Sequence, residues 1–418
     1  MSGESPGPDA QAVIREGRLV YVSPVTDLAD YTLPTGTPGA LMLAGPRASY
    51  YSPRPAASTA IVIPHPAQGL NTDPPPGVPV IQGMQDGSLA VAPLASFGYV
   101  GDDAGPINAA ALQLQAQGQA GGRISLLPKA YNLQSQVQLG ISQILQGAGQ
   151  QTQLNQNFTG TGIWQHDANN PGGGFGSYET LAGGIRDLVL DGTGAGPGSV
   201  GMDIGDCVGY RMANVQIQNF SGAGSVGLYL VNRYFFTERS HFQARLHGNA
   251  QNCVLDTVSG QGENSFEFDY FDFILSANAT GSGQDGFVIQ GGSYISKGFL
   301  RLTGNFVTSG HALTSAAVRV QGNDPITGFI SHITHSQLLV GVETDNASAN
   351  APATIIFGTT SGSNINSITN CTGFLVFDDG WTASNAVAAT FGPFGGMIVG
   401  DAGLQALNAA NPPPGWPS

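Results

Sequence analysis

One repeated string constrains the fold of this chain more than anything else in it. Ser199-Val200-Gly201-Met202-Asp203-Ile204 returns as Ser225-Val226-Gly227-Leu228-Tyr229-Leu230. Upstream, Ile185-Arg186-Asp187-Leu188-Val189-Leu190 returns as Met212-Ala213-Asn214-Val215-Gln216-Ile217, and Asn252–Leu255 extends the series by about 25 residues more. A repeat of that length made of short strands indicates a solenoid, because no single coil can bury its apolar face except by stacking on the next. Alternation within the strings turns Met202, Ile204, Val215 and Ile217 inward and the polar residues between them outward.

Composition agrees with many short strands. The chain has 418 residues, of which 61 are Gly and only 14 are Lys or Arg. Gly and Asn tolerate the left-handed backbone of tight turns, while charged helix formers are too few for an ordinary helical or α/β enzyme. A net charge of −14 disfavours nucleic acid and anionic membrane surfaces as partners, since both need clustered basic residues. Neutral or mixed sugars suit such a surface. Cys207, Cys253 and Cys371 have no CxxC spacing, so they read as buried, reduced core residues and not as a disulfide framework or zinc site. The N-terminus lacks a basic start followed by an apolar stretch, and no long apolar run follows. The sequence therefore predicts a protein made in the cytoplasm without a signal peptide, and no membrane insertion.

The chain divides into three. Residues 1–94 hold strand candidates at Arg18–Ser23 and Ala40–Ala44 and Pro-rich stretches, reading as a small module and linker with a boundary near Ser96. Residues 95–390 carry the coils, predicted to take roughly 22–27 residues each and to form three short sheets. A helix is expected over Ile107–Gln119, with Ile107, Ala111 and Leu114 on its apolar face and Asp102 and Asp103 as its N-terminal caps. Strands are expected at Ser265–Leu275 and Ile326–Ile333, among others. Residues 391–418 are too rich in Pro for a coil and read as a tail or cap.

The segment from Tyr99 to Leu154 resembles the opening coil of the pectate-lyase-like superfamily of right-handed parallel β-helices. The resemblance rests on Tyr99…Gly101-Asp102, Gly121-Gly122-Arg123-Ile124-Ser125-Leu126-Leu127-Pro128, Tyr131-Asn132-Leu133 and Leu145-Gln146-Gly147-Ala148-Gly149…Thr152-Gln153-Leu154. It covers the coil region and is most similar to bacteriophage tailspikes and tail fibres. It implies an all-β, right-handed parallel β-helix with a short capping helix and a small N-terminal module. It also implies a homotrimer on a virion surface, with other virion proteins as partners of the N-terminal region and host cell-surface glycan as ligand. The usual Gly-Asp-Gly-x-x-Asp-Asp-Thr loop is shortened here to Gly101-Asp102-Asp103-Ala104-Gly105, a departure that bears on how the cap is built.

The sequence lacks the strings of polygalacturonase-type hydrolases; Gly310-His311-Ala312 and Asp378-Asp379-Gly380 are partial matches only. Lys129 and Lys297 are the only lysines, too few basic groups for a calcium-assisted lyase, and no cofactor or metal is implied. A glycosidase needs two carboxyl groups on one groove, roughly 5 or 6.5–9.5 Å apart. Equivalent outward positions on coils about 4.8 Å apart supply such distances. The densest acidic region is central, so Glu238, Glu263, Glu267, Asp269 and Asp272 form the candidate catalytic pool, with Asp256 and Asp285 nearby. Arg239, His241, Tyr234 and Tyr270 are candidate sugar contacts. The structural reading stands beside this one: Glu238 and Arg239 as an ion pair at a turn, His241 as a satisfied turn histidine, Phe266, Phe268, Phe271 and Phe273 as core or interface, and Glu267 and Asp269 facing solvent. Function thus falls between a virion spike that binds and hydrolyses host polysaccharide, a cellular hydrolase or lyase of the same fold, and a purely structural attachment fibre.

Overall fold

The computed structural model describes residues 11–15, 18–22, 40–44, 47–51, 81–84, 87–97, 100–116, 121–166, 183–258, 260, 264–276, 285–305, 316–343, 353–357, 366–377 and 394–399. Strands of successive coils stack in register into three sheets, giving the right-handed parallel β-helix expected from the repeat. The long sheet has 14 strands, the second has 8 and the third has 5. One coil shows the plan. Val226–Asn232 lies in the second sheet, Thr237–Glu238 in the third and His241–His247 in the long sheet, after which Gln251–Thr257 begins the next coil.

Every second residue points inward and stacks on its equivalent in the next coil. Thr237, Phe266, Ile295, Ile333 and Ile368 form one such column, and Met212, Phe242, Phe271, Leu300 and Leu338 another. Tyr210, Phe242 and Phe271 stack face to face at 5.7 and 5.6 Å. Each fully buried Phe contributes about 1.5–3 kcal/mol, so the coils hold one another in place along these columns. All three cysteines are buried in the same interior as free thiols, as expected.

The steps from Val200 to Val226 and from Val226 to Gln251 keep to the predicted coil length, but the later coils are longer. In the long sheet Gly184 aligns with Arg211, then His241, Tyr270, Phe299 and Gln337, steps of 27, 30, 29, 29 and 38 residues. Turn length between sheets, not strand length, absorbs the difference. The helix spans Ala104–Ala116, starting earlier than expected, and buries Ile107, Ala111 and Leu114 against the first coil. Asp102 accepts from the Ala104 N–H at 3.0 Å, as a cap should. Asp103 is instead a clamp, accepting from the Leu94 and Asn132 N–H groups.

Two expected strands differ. Ser265–Leu275 is broken into Ser265–Glu267 and Tyr270–Ser276 by a left-handed turn at Phe268. Most of Ile326–Ile333 is a turn, because Asp324 accepts from the Ile326 N–H and the Thr327 hydroxyl; the strand is His332–Thr334. Leu89–Val91 pairs with Gly122–Leu126, so the long sheet already includes residues before Ser96. Arg18–Val22 and Ala40–Ala44 form hairpins with Gln11–Arg15 and Arg47–Tyr51. Among the described residues, no helix is long and apolar enough to cross a membrane.

Candidate functional site

The outward side chains of the long sheet form columns too. His241, Tyr270, Phe299 and Gln337 occupy one position on four consecutive coils. The His241 ring meets Tyr270 edge-on at 4.5 Å, and Tyr270 stacks on Phe299 at 4.6 Å with the rings nearly parallel. All three rings are half-buried, so one flank of the ladder faces solvent. Burial first, then the Arg211 guanidinium, hold the His241 imidazole below the usual histidine range, with Asp272 opposing them. Arg211 donates to its Nδ1 at 3.4 Å.

Next to the ladder, the sheet has a step. Strands Gly184–Asp191 and Arg211–Gln218 each carry a left-handed residue, Asp187 and Asn214, bonded to one another at 2.9 Å. The following strand has no such residue, so the register shifts between Met212 and Val215. A bulged strand bends and re-aims its side chains. Beside an unbulged neighbour it leaves a cleft of ≈ 280 Å³, lined among others by Gln216, Gln243, Arg245, Asp272 and Ile274. Asp272 accepts from Gln243 at 3.3 Å and lies 3.7 Å from the Arg301 guanidinium. Exposed Ile274 adds an apolar patch to this polar lining.

The candidate residues named from the sequence do not converge on one point. His241, Tyr270 and Asp272 share the long-sheet face. Glu238 and Glu267 lie in register on adjacent coils of the third sheet, where Glu238 meets the Arg239 guanidinium and Glu267 meets Lys297, both at 3.2 Å. Tyr294 donates to Glu267 at 3.4 Å and stacks on His332. Tyr234 is elsewhere, packed on Val208, Phe235 and Phe236. Asp256 accepts from Tyr229 and Gln290, and Asp285 forms a two-pronged pair with Arg319; both belong to the second sheet. Glu263, His311, Asp378 and Asp379 lie outside the described residues.

Asp269 does not face solvent. It is 1% exposed, because it occupies an inward corner position shared with Tyr210, Ser240 and Ser336. In this column the Tyr210 N–H donates to Ser240 Oγ, the Ser240 N–H to Asp269 Oδ1 at 2.7 Å, and the Gly298 N–H to Ser336 Oγ. Among the described residues, Asp269 Oδ2 has no hydrogen-bond partner. Burial pushes this carboxyl far above the usual range; Glu238 and Glu267 add to that, against the Ser240 hydrogen bond. Phe268 is not part of the core. Phe266, Phe271 and Phe273 are core, whereas Phe268 is 51% exposed at the corner, since the left-handed turn reverses its direction.

That corner repeats. Arg239, Phe268, Lys297, His335 and Asn370 each hold positive φ, between 47° and 55°, at the same turn of five successive coils. Lys297 Nζ lies 5.1 Å from the centre of the Phe268 ring.

Sequence reasoning missed a cluster on the second sheet. His166, with no exposed side-chain surface, bridges Asp206 through Nδ1 and Asp203 through Nε2, each at 2.8 Å. Asp203 also accepts from Arg233 at 2.6 Å. The other Asp206 oxygen accepts from three consecutive backbone N–H groups, those of Arg233, Tyr234 and Phe235. Burial pulls the His166 imidazole down, but its bonds to both carboxylates and their charges outweigh this and hold it above the usual value. Asp203, Asp206, His166 and Arg233 thereby form a closed network that fixes the turn. The only sequence signal was the repeat itself, which aligns Trp164 with Asp203.

No protein-family profile matches the chain, and no curated protein does. Solved structures with the same kind of fold do. The A-module of mannuronan C-5 epimerase AlgE4 from Azotobacter vinelandii is 17% identical over 74% of this chain and 95% of its own, with a TM-score of 0.38. ORF18 of Geobacillus virus E2 is 14% identical over 75% of this chain, with a TM-score of 0.32. The tailspike of Escherichia coli bacteriophage HK620, solved with a pentasaccharide, is 14% identical over 73% of this chain, with a TM-score of 0.37. The matched region spans 61% of each of the two viral chains.

Proposed function

We propose that this chain is a virion surface spike or fibre that binds host cell-surface polysaccharide along the outer face of its long sheet. The observation that carries the reading is the ladder His241–Tyr270–Phe299 running beside the Asp272 cleft. Aromatic flanks present an apolar surface to sugar rings, and the amide, carboxylate and guanidinium groups of Gln243, Asp272 and Arg245 offer donors and acceptors to hydroxyls. The virion setting rests on the tailspike-like opening coil. With it go three parallel copies and attachment of the N-terminal region to other virion proteins.

The test is binding of the purified chain to envelope polysaccharides of candidate hosts, with Tyr270→Ala and Asp272→Asn as comparisons. Loss of affinity in both variants, with the fold intact by circular dichroism, supports the reading; unchanged affinity in both overturns this site.

Cleavage is a second reading, favoured by the register of Glu238 and Glu267. Carboxylates on adjacent coils start from backbones about 4.8 Å apart, within reach of the separation of roughly 5 Å used by retaining glycosidases. Oligosaccharides of one repeat length released by the parent and abolished by Glu267→Gln would establish it. If the parent releases none, attachment alone remains.

A further inference from the structure

The third-sheet corner holds backbone strain that its side chains do not repay by burial. Left-handed backbone suits Gly and, among other residues, Asn and Asp. Asn370 meets that preference; Arg239, Phe268, Lys297 and His335 do not. All four are exposed, Arg239 and Lys297 by 65% and 52% of their side chains. Core packing therefore does not explain the choice of residue.

What the corner presents outward is specific. Phe268, half-exposed, is flanked along the coil axis by the Glu238–Arg239 and Glu267–Lys297 pairs. Each cation is matched by a carboxylate at 3.2 Å, so the strip attracts neither anions nor cations strongly. A carboxylate beside a cation suits the vicinal hydroxyls of a sugar, one group accepting and the other donating. Each corner residue also lies two positions before a member of the ladder: Arg239 before His241, Phe268 before Tyr270, Lys297 before Phe299.

We propose that this corner is a second saccharide-binding site, continuous with the ladder, that takes an uncharged hexose unit on Phe268 and holds its hydroxyls between the two ion pairs. The strain is retained because Asn or Gly at these positions would relax the backbone and remove the site. This rests on the glycan-binding reading and narrows it to glycans whose units here are neutral.

Affinity electrophoresis through dextran, glucomannan or a neutral O-polysaccharide, with alginate as the acidic counterpart, tests it on the full chain. Phe268→Asn is expected to melt at a higher temperature than the parent yet lose about tenfold in affinity for the neutral polymer the parent binds. Tyr270→Ala is expected to lose affinity with no gain in melting temperature. If Phe268→Asn binds as the parent does while Tyr270→Ala does not, the corner is not a binding site and the ladder reading stands. If the parent binds alginate alone, the neutral class is wrong. If the parent binds no polysaccharide from this set or from host envelopes, both readings fall.

Discussion

Left-handed turns occur in two regions of the solenoid and are filled by different chemistry. In the earlier coils the residues are Asp187, Asp206, Asn214 and Asn219, with short polar side chains bonded to their surroundings. Asn219 donates to Asp191, Asn214 to Asp187, and Asp206 gathers His166 and three backbone N–H groups. At the third-sheet corner of the later coils they are Arg239, Phe268, Lys297 and His335, all exposed, until Asn370 returns a short polar residue to the same turn. The first set lowers the energy of its turns; the second tolerates a cost of about 1–2 kcal/mol per residue. One fold thus separates turns whose side chains bond to their surroundings from turns whose side chains are exposed, and on the proposed reading the second set is kept for what it presents to a glycan.

The largest break in that contrast comes at Asp206. Asp206→Ala leaves His166 with one carboxylate and three N–H groups without an acceptor, and is expected to cost about 3–5 kcal/mol in urea unfolding. An equivalent loss on replacing Arg239 would erase the distinction.

Asp269 sits between the two regimes: a buried acid at a corner position that Ser fills on other coils. Its folded-state pKa lies above the unfolded value, so the folded chain holds a proton that the unfolded chain releases. Stability therefore falls as pH rises past the ordinary carboxylate range, near 3.8, toward the folded value. Asp269→Asn keeps the acceptor for Ser240 and is expected to raise stability by about 1–3 kcal/mol at pH 7. That gain should vanish in acid, and denaturant midpoints across pH give the comparison.

Smaller effects follow at the strained turns. Lys297→Asn should stabilise by about 1 kcal/mol or slightly less, since it also removes an exposed ion pair, whereas Asn219→Lys should destabilise by at least as much. Thermal melts of both variants would show opposite signs; like signs would collapse the comparison.

The smallest is a pH slope. The raised His166 contributes stability that is complete below the usual histidine value of 6.5 and lost as pH rises through its higher folded value. His166→Gln should flatten that part of the stability profile, and carbon-13 chemical shifts of the imidazole would report the titration directly.

The solenoid was legible in the sequence because its cause is repetitive and local. Period-two alternation in strands such as His241–His247 and Tyr270–Ser276 fixes which residues turn inward, and only stacking of successive coils can bury them. The capping helix, the buried cysteines and the core phenylalanines 266, 271 and 273 follow from the same pattern. Which outward groups meet was not legible. Coil steps are uneven, short from Gly122 to Gln143 or Val226 to Gln251 and long from Ile144 to Gly184 or Phe299 to Gln337, and a slip of one residue carries a side chain to the opposite face. Only the fold could place Asp269 inside and Phe268 outside two neighbouring positions of one strand-like run. Only stacking across 40 residues could bring His166 to Asp206. The repeat sets the kind of structure; turn lengths and bulges, decided by the packing of each coil on the last, set which side chains become neighbours.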